Sequence, residues 1–356
     1  MRKIRVAVLG AGAIAQGSHL PGYGASENCE LIAIADPQQS CLAEVREKYR
    51  FAREYADFRE LLAAEKVDVV SVCLPNALHA DAACLALEHG ADVILEKPVS
   101  LTEADAGRIQ AAVRRTGRKL AVCFSHRFNG LIRAAKEALD AGKIGEPYMI
   151  RIRFAHGGPY PGWAKSDWFY NPGLAGGGAL LDMGIHAIDL AENLLGKIVA
   201  VSAVCGTLRK DIQLDDNASL LLRFERKAFG YLEVSWTSKA GFSGVEICGD
   251  AGAICVDYAA GETVLTAGAA RPDGSFAMAK TVLARRGESA WKCQMAEFIA
   301  DLVAERPFPC GIEEGIASLR VALGAYESNR TGREIRLSNH HQSAMEPQNN
   351  FREVGA

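Results

Sequence analysis

The sequence has no strong excess of charge and no long hydrophobic run. Its 356 residues carry a formal net charge of −3, which gives no electrostatic basis for binding nucleic acid or an anionic membrane. No stretch approaches the roughly 18–20 uncharged apolar residues that cross a bilayer. Glycines interrupt the N-terminal MRKIRVAVLGAGAIA early, so this segment is typical of a first β-strand rather than a signal peptide. A small molecule remains the expected partner.

The sequence also lacks a cysteine pattern for metal binding or for disulfides. Its ten cysteines are scattered, with no C-x-x-C pair and no histidine at ligand spacing. Cys73 and Cys123 lie inside apolar runs, where a thiol behaves as a small hydrophobic group. We therefore expect reduced cysteines, a cytoplasmic protein and no metal site.

The chain is long enough for two domains, because single hydrophobic cores stop growing near about 250–300 residues. Up to about residue 124, short β-branched runs alternate with helical stretches, which predicts an α/β domain with a doubly wound parallel sheet. The second domain is predicted to be α+β. The predicted boundaries are 1–124 for the first domain, 125–337 for the second and 338–356 for a polar, flexible tail.

Strands of the second domain come in adjacent pairs. NASLLLRFE and GYLEVSWTS are separated by a few turn residues, and GVEICG and AICVDY flank residues 250–252. Both pairs predict antiparallel hairpins. Two helices are predicted to follow, over about 288–305 and 312–330.

A glycine-rich loop follows the first predicted strand. Gly10, Gly12 and Ala15 form a G-x-G-x-x-A pattern, which is weak alone but stands here between a strand and a helix. Asp36 ends the second strand, where a carboxylate would accept a hydrogen bond from a ribose 2′-hydroxyl. Because Pro37 rather than an arginine follows it, the loop predicts a Rossmann-type dinucleotide site that prefers NAD to NADP. A tight turn without a ligand is the alternative.

Polar residues follow three later strands of the predicted sheet. Ligands of open parallel sheets bind outside the carboxyl ends of the strands, so these residues are candidates for the cofactor crevice. For His79 we favour a role at a helix start or in a backbone hydrogen bond over catalysis. The predicted cofactor-binding residues are Gly10, Gly12, Ala13, Ile14, Asp36, Leu74, Pro75, Asn76, His79, Glu96, Lys97 and Arg127.

Lys97 stands between a strand and a proline, where its ammonium would face the crevice. A neighbouring NAD⁺ would favour the neutral amine and so make proton transfer feasible. The alternative is a surface lysine at a strand end.

The stretch GGGALLDMGIHAIDL places Asp182 and His186 four positions apart, so that on an α-helix their side chains can meet. A carboxylate beside an imidazole suits a general base near neutral pH. We expect the glycines 176–178 to let this helix press against a nicotinamide ring or a substrate. A purely structural Asp–His pair is the alternative.

Aromatic residues are concentrated just before this helix, in GGPYPGWAKSDWFYNPG. Aromatic faces beside charged groups suit a polyhydroxylated ring, although an aromatic plug at an interface fits equally well. The predicted substrate-binding residues are Lys97, Arg127, Trp163, Trp168, Asp182 and His186.

Taken together, these motifs resemble the Gfo/Idh/MocA family, the group of glucose–fructose oxidoreductase and inositol dehydrogenase. The resemblance spans residues 1 to about 337, and its most specific part is the E-K-P motif with D-x-x-x-H. It implies a Rossmann domain joined to a domain with a large, open, mainly antiparallel sheet, which builds homodimers or homotetramers. It also implies NAD(P)-dependent hydride transfer at a sugar or cyclitol hydroxyl.

The resemblance assigns the catalytic positions to Lys97, Asp182 and His186. In the family scheme His186 takes the hydroxyl proton, Asp182 orients His186, and Lys97 hydrogen-bonds the same substrate oxygen. One alternative function is an NAD-dependent glycosidase or dehydratase that oxidises its substrate transiently. A further alternative is a cofactor-sensing regulatory protein, which the complete catalytic set disfavours.

Overall fold

The computed structural model describes residues 2–164, 166–270 and 276–337, and the predicted tail 338–356 lies outside this part. The strands are β1 (Ile4–Leu9), β2 (Cys29–Ala35), β3 (Arg53–Tyr55), β4 (Val69–Val72), β5 (Asp92–Leu95), β6 (Leu120–Val122), β7 (Pro147–Ala155), β8 (Ile198–Gly206), β9 (Asn217–Phe224), β10 (Phe229–Ser235), β11 (Phe242–Gly249), β12 (Gly252–Asp257), β13 (Glu262–Ala270), β14 (Phe276–Arg285) and β15 (Ile335–Arg336). The helices are α1 (Leu20–Gly24), α2 (Gln39–Arg46), α3 (Phe58–Ala64), α4 (His79–Glu88), α5 (Glu103–Thr116), α6 (Gly130–Asp140), α7 (Pro172–Ala175), α8 (Ile185–Leu195), α9 (Ala290–Val303) and α10 (Ile312–Thr331).

The first six strands form one parallel sheet. Its order is β3-β2-β1-β4-β5-β6, so the chain reverses direction across the sheet at β1 and β4, as in a doubly wound fold. The apolar runs of β1 and β4 are buried, because helices cover both faces. The predicted α/β Rossmann architecture is confirmed.

The remaining nine strands form a second sheet, in the order β14-β13-β12-β11-β7-β10-β9-β8-β15. All pairs are antiparallel except the central pair β7 and β10. Both predicted hairpins are present, as β9–β10 and β11–β12. Strand β9 alternates buried and more exposed residues, so one face of this sheet packs on helices and the other faces outward.

Helix α10 connects the two sheets. It packs on α5 and β6 of the first sheet and on β8 and α8 of the second. Gly315 lies against Val99 and Val122, and Gly324 lies against Val201. A bulkier residue at either glycine would therefore push α10 away from one sheet.

Three short π-helical turns interrupt the regular helices, at Ala15–His19, Pro159–Trp163 and Leu180–Gly184. Their hydrogen bonds run from residue i to i+5, so each turn is wider than an α-helical turn. The first follows the glycine loop and the third carries Asp182.

None of the helices in the described ranges is long and apolar enough to span a membrane. All ten cysteines are free thiols, as their spacing predicted.

Candidate active site

The glycine loop lies at the carboxyl end of β1. Gly10 has a φ of +94°, and a Cβ there would overlap the carbonyl oxygen of Cys73, so only glycine fits. Gly12 has no atom within 4 Å of the position its Cβ would take. This open side lies at the start of a helix, whose first N–H groups have no partners within the helix, and it fits the pyrophosphate of a dinucleotide. Ala13 and Ile14 continue the loop into that helix.

Asp36 lies directly beside the loop. Its Oδ2 accepts a hydrogen bond of 2.8 Å from the backbone N–H of Ala11, and its Oδ1 accepts one of 2.8 Å from Gln38. The structure therefore brings together the loop and the carboxylate that the sequence singled out.

Residues after β4 form the adjacent wall. Leu74 is buried and Pro75 is half-buried. The side-chain amide of Asn76 donates 2.9 Å to the carbonyl of Ala175, which ties this wall to the segment before the glycines. His79 is fully buried, with Nδ1 2.7 Å from the carbonyl oxygen of Pro98 and Nε2 2.9 Å from that of Leu74. The neutral ring donates to one of these carbonyls, which is the backbone hydrogen bond favoured from the sequence. The predicted cofactor contact of the His79 ring is corrected, because backbone oxygens lie against both nitrogens.

Glu96 turns into the sheet rather than toward the crevice. Its Oε1 lies 3.1 Å from Nε2 of His19, whose Nδ1 lies 2.9 Å from Ser71 Oγ. Cys123 Sγ lies close enough to complete a His–Glu–Cys group within 4.8 Å, but both nitrogens of His19 already have partners. The carboxylate of Glu96 therefore supports the strand end, in place of the cofactor contact predicted for it.

Arg127 is also engaged inside the protein. Its Nε and Nη2 donate to Asp189 at 2.7–3.1 Å, and Asp189 is buried. Burial raises the pKa of Asp189 to about 6, although the Arg127 charge opposes this shift. The predicted cofactor and substrate contacts of Arg127 are corrected, because a bidentate ion pair with the buried Asp189 engages its guanidinium.

Lys97 meets Asp182 across the cleft between the two sheets. Lys97 Nζ donates 2.6 Å to Oδ1 and 3.0 Å to the backbone carbonyl of Asp182. Trp236, fully buried after β10, donates 3.2 Å from Nε1 to Oδ2. The carboxylate is thus shared by an ammonium from one sheet and an indole from the other.

Within the described residues no hydrogen bond joins His186 to Asp182, although their spacing led us to expect one. Asp182 lies in the π-helical turn Leu180–Gly184, and its two carboxylate oxygens bind Lys97 and Trp236 instead. His186 is half-buried, and its Nδ1 is buried without a hydrogen-bond partner. Burial, the Lys97 charge and His126 hold the pKa of His186 well below its usual value, so the ring is neutral at pH 7.

His126, which the sequence analysis did not select, lies beside His186. The two ring centres are 5.0 Å apart. Burial and the Lys97 charge lower the pKa of His126 to about 4. His126 is one of the polar residues that follow β6, so the strand-end argument that selected Lys97 reaches it as well.

The glycines 176–178 pack against protein rather than against a ligand. A Cβ on Gly177 would overlap Tyr326, and one on Gly178 would overlap the backbone of Asp215. Asp215 accepts hydrogen bonds from Gly178 N at 2.9 Å and Leu180 N at 2.8 Å. The expectation that these glycines face the nicotinamide or the substrate was wrong, because a buried carboxylate binds the start of the helix.

The aromatic segment lies at the edge of the cleft. Trp163 is 47% exposed, and Trp168 is half-buried and stacks on Phe169 with ring centres 3.9 Å apart. Tyr170 contacts Trp236 edge to face at 5.9 Å. The segment thus reaches Asp182 through Trp236.

The glycine loop and its flanking carboxylate lie at the edge of a parallel sheet, as in proteins that bind dinucleotides. The adjacent cleft holds a lysine, an aspartate and a histidine. This combination defines a dinucleotide-dependent oxidoreductase. Family models match both parts of the chain: residues 4–124 match an oxidoreductase family with an NAD-binding Rossmann fold, and residues 132–255 match the GFO/IDH/MocA C-terminal domain. The chain belongs to the Gfo/Idh/MocA family. It is an oxidoreductase of the type that acts on CH–OH groups.

Named relatives include two dehydrogenases. D-glucoside 3-dehydrogenase of Escherichia coli (strain K12) is 38% identical over 193 residues, which is 54% of each chain, so the match spans about half the length of that relative. Myo-inositol 2-dehydrogenase of Thermotoga maritima is 27% identical over 94% of this chain and 98% of its own. The structure of levoglucosan dehydrogenase in complex with NADH and levoglucosan has the same fold, with a TM-score of 0.82 and 21% identity over 94% of this chain and 100% of that chain.

Proposed function

We propose that the protein is an NAD-dependent dehydrogenase that oxidises a hydroxyl-bearing carbon of a sugar or cyclitol. The observation that carries the proposal is the contact of 2.6 Å between Lys97 and Asp182, one turn of helix away from a neutral, half-buried His186. The influence of the Lys97 charge on His186 supports an arrangement in which an ammonium and an imidazole face one cleft. The glucoside and inositol dehydrogenases among the relatives support this substrate class.

In this proposal each residue has a separate task. The cofactor, held by the glycine loop and Asp36, accepts the hydride. His186 takes the hydroxyl proton through its cleft-facing nitrogen, for which a neutral ring is required. Lys97 donates a hydrogen bond to the same substrate oxygen and stabilises its developing negative charge. Asp182, with Trp236, holds Lys97 in place, a task that replaces the orientation of His186 expected from the sequence.

The test begins with a screen of sugars and inositols for formation of reduced nicotinamide. The rate on any substrate found is then measured for Lys97→Ala and His186→Ala. Loss of either group should lower kcat by about 10²- to 10⁴-fold and leave NAD binding, measured by titration, near that of the parent protein. Wild-type turnover in one variant would remove that residue from the mechanism. A substrate that is converted without net NADH would favour the transient-oxidation alternative instead.

We further propose a preference for NAD over NADP. The Asp36 carboxylate, 2.8 Å from the loop backbone, would accept a hydrogen bond from a free ribose diol and repel a 2′-phosphate. Asp36→Ala should lower the ratio of kcat/KM for NAD to that for NADP at least about tenfold. Asp57→Ala, which removes a carboxylate that caps α3, is the control. An unchanged ratio in Asp36→Ala would contradict the role of Asp36.

Three further expectations belong to the same proposal. We place the domain boundary near residue 124, with residues 125–337 forming the unit that binds substrate and self-associates. A homodimer or homotetramer would form through the outward face of the second sheet, which exposes Val204, Leu221 and Phe229. Ten free thiols suit a reducing compartment such as the cytoplasm.

A further inference from the structure

His156 lies directly after β7, beside the residues that hold Lys97. Strands β7 and β10 run parallel, so their carboxyl ends meet at the same edge of the second sheet. The backbone N–H of His156 donates 2.9 Å to the carbonyl of Ser235, which places His156 next to Trp236, the partner of Asp182. The second sheet thus brings an imidazole close to the carboxylate of the cleft.

The His156 ring has a fixed donor. The backbone N–H of Gly158 donates 2.8 Å to Nδ1, so the neutral ring carries its proton on Nε2. Burial lowers the pKa of His156. The nearby Asp182 charge raises this pKa, whereas the Lys97 and Lys210 charges lower it. The ring is therefore neutral at pH 7 and lies among two cations and one anion.

Lys210 comes from the loop between β8 and β9 and is half-buried. Gly158 has a φ of +86°, and the position that its Cβ would take lies 2.8 Å from Lys210 Cε and 3.0 Å from Trp236 Cβ. The lysine stem therefore passes over a glycine and lies beside the indole that binds Asp182. Lys210 Nζ donates 3.0 Å to the carbonyl of Tyr160, and an ammonium has two further N–H groups for a ligand.

A buried carboxylate fixes the loop that carries Lys210. Asp216 is fully buried, and its two oxygens accept hydrogen bonds of 2.7–2.8 Å from the backbone N–H groups of Leu208, Arg209 and Lys210. Burial raises the pKa of Asp216, but the hydrogen bonds that it accepts outweigh this and hold the pKa below its usual value. Its backbone carbonyl accepts 2.8 Å from the N–H of Trp236. One residue thus sets the positions of both Lys210 and Trp236.

Within the described residues, the carboxylates near this group are either engaged or exposed. Asp182 binds an ammonium and an indole, Asp216 binds the loop backbone, and Asp215 binds two backbone N–H groups and a phenol hydroxyl. Asp167 and Asp211 are exposed. A sugar hydroxyl both donates and accepts, whereas a carboxylate only accepts. A group of donors with no free buried carboxylate therefore favours an anionic ligand.

We propose that His156 and Lys210 bind the carboxylate of an acidic sugar, a uronate or an aldonate, while the sugar is oxidised at a hydroxyl carbon. The proposal rests on the dehydrogenase function proposed above and specifies its substrate. His156 donates from Nε2 and Lys210 from Nζ to the carboxylate oxygens. The oxidised hydroxyl loses its proton to His186 and its carbon loses hydride to the nicotinamide, so the carboxylate is unchanged and serves as an anchor.

Matched sugars test this choice of substrate. D-glucose is compared with D-glucuronate and D-gluconate, and D-galactose with D-galacturonate, with formation of reduced nicotinamide as the readout. We expect at least one acid to have a kcat/KM at least about tenfold above that of its neutral counterpart, because charge-assisted hydrogen bonds are the stronger ones. This preference should weaken as the salt concentration rises.

Two variants separate the anchor from the rest of the site. Lys210→Met keeps the stem over Gly158 and removes the ammonium, so kcat/KM for the acid should fall about 10- to 100-fold more than for the neutral sugar, mainly through KM. His156→Asn keeps an acceptor for the Gly158 N–H in an Asx turn but loses Nε2–H, and should shift the same ratio in the same direction. Lys227→Met, at an exposed lysine between β9 and β10, is the matched control and should leave the ratio unchanged.

A purely structural role for Lys210 would lower the rates on acid and neutral sugars equally, and an unchanged ratio in Lys210→Met would overturn the inference. A wild-type protein that oxidises neutral sugars or inositols as well as the acids, or better, would also overturn it and leave the dehydrogenase function intact. Absence of turnover on every acid, neutral sugar and inositol would overturn both proposals.

Discussion

Arg127 and Asp189 form an ion pair in which the carboxylate is buried and the guanidinium half-buried. Removing the positive partner leaves a buried carboxylate without compensation, so we expect Arg127→Met to lower the free energy of unfolding by about 3–5 kcal/mol near neutral pH. The pKa of Asp189 is already raised to about 6 and rises further in the variant. Because the folded variant then holds a proton that the unfolded chain releases, its stability should fall as pH rises from about 5 to 8.

Chemical denaturation at several pH values measures this effect. The double variant Arg127→Met with Asp189→Leu removes both charges and should recover most of the loss. If Arg127→Met kept wild-type stability but bound NAD poorly, the cofactor role first expected for Arg127 would stand, and the structural role would not.

Lys97, Asp182 and His186 were selected from the sequence because a strand end and a four-residue spacing are visible there, and the family resemblance added their catalytic roles. Their partners were not visible. Asp182 is held by Lys97, 85 positions away, and by Trp236, 54 positions away, and such contacts depend on how the two sheets meet. For the same reason the sequence placed Glu96 and Arg127 in the cofactor site, whereas His19 and Asp189 hold them inside the protein.

At the scale of elements, the start of the catalytic helix depends on Gly178. A Cβ there would overlap the backbone of Asp215, whose side chain binds two N–H groups of this helix start. We expect Gly178→Ala to cost at least about 2 kcal/mol of unfolding free energy and to lower kcat, since the displaced turn carries Asp182.

Gly107→Ala is the control for this change. Gly107 lies within α5, and no atom lies within 4 Å of the position that its Cβ would take, so alanine should stabilise the protein by about 0.4–1 kcal/mol. Thermal unfolding and kcat are measured for both variants. If Gly178→Ala and Gly107→Ala unfold at the same temperature, the backbone of Asp215 tolerates a side chain at position 178, which contradicts the prediction.

Most elements were predictable because their patterns are local. The alternation of β-branched runs with helical stretches predicted the first sheet, both hairpins were recognised, and helices α9 and α10 follow their expected ranges closely. Strand β3 was missed because its three residues, Arg53–Tyr55, are polar and lie at a sheet edge. The π-helical turn at Leu180–Gly184 was missed because an α-helical period was assumed. The expected contact between Asp182 and His186 was wrong because Lys97 and Trp236, both far away in sequence, bind the Asp182 carboxylate.

At the scale of the whole molecule, the outward face of the second sheet determines the proposed assembly. Leu221 is 62% exposed on β9, next to Tyr231 of β10. Leu221→Lys should convert the assembly to a smaller species, because it places charge in an apolar contact. Leu208→Lys changes a leucine that is 63% exposed on the loop after β8 and should leave the mass unchanged. Light scattering after gel filtration gives both masses, and a single-chain mass for the wild type would contradict the proposal.

Helix α10 makes the two sheets one cooperative unit. Near Gly315 the helix packs against Val99 and Val122 of the first domain, and near Gly324 it packs against Val201 of the second sheet. If the helix detaches, apolar surface opens on both sheets at once, so partial unfolding of either sheet alone gains little. Calorimetry would then record one melting event for the entire chain, and a protease would find few half-folded forms to cleave.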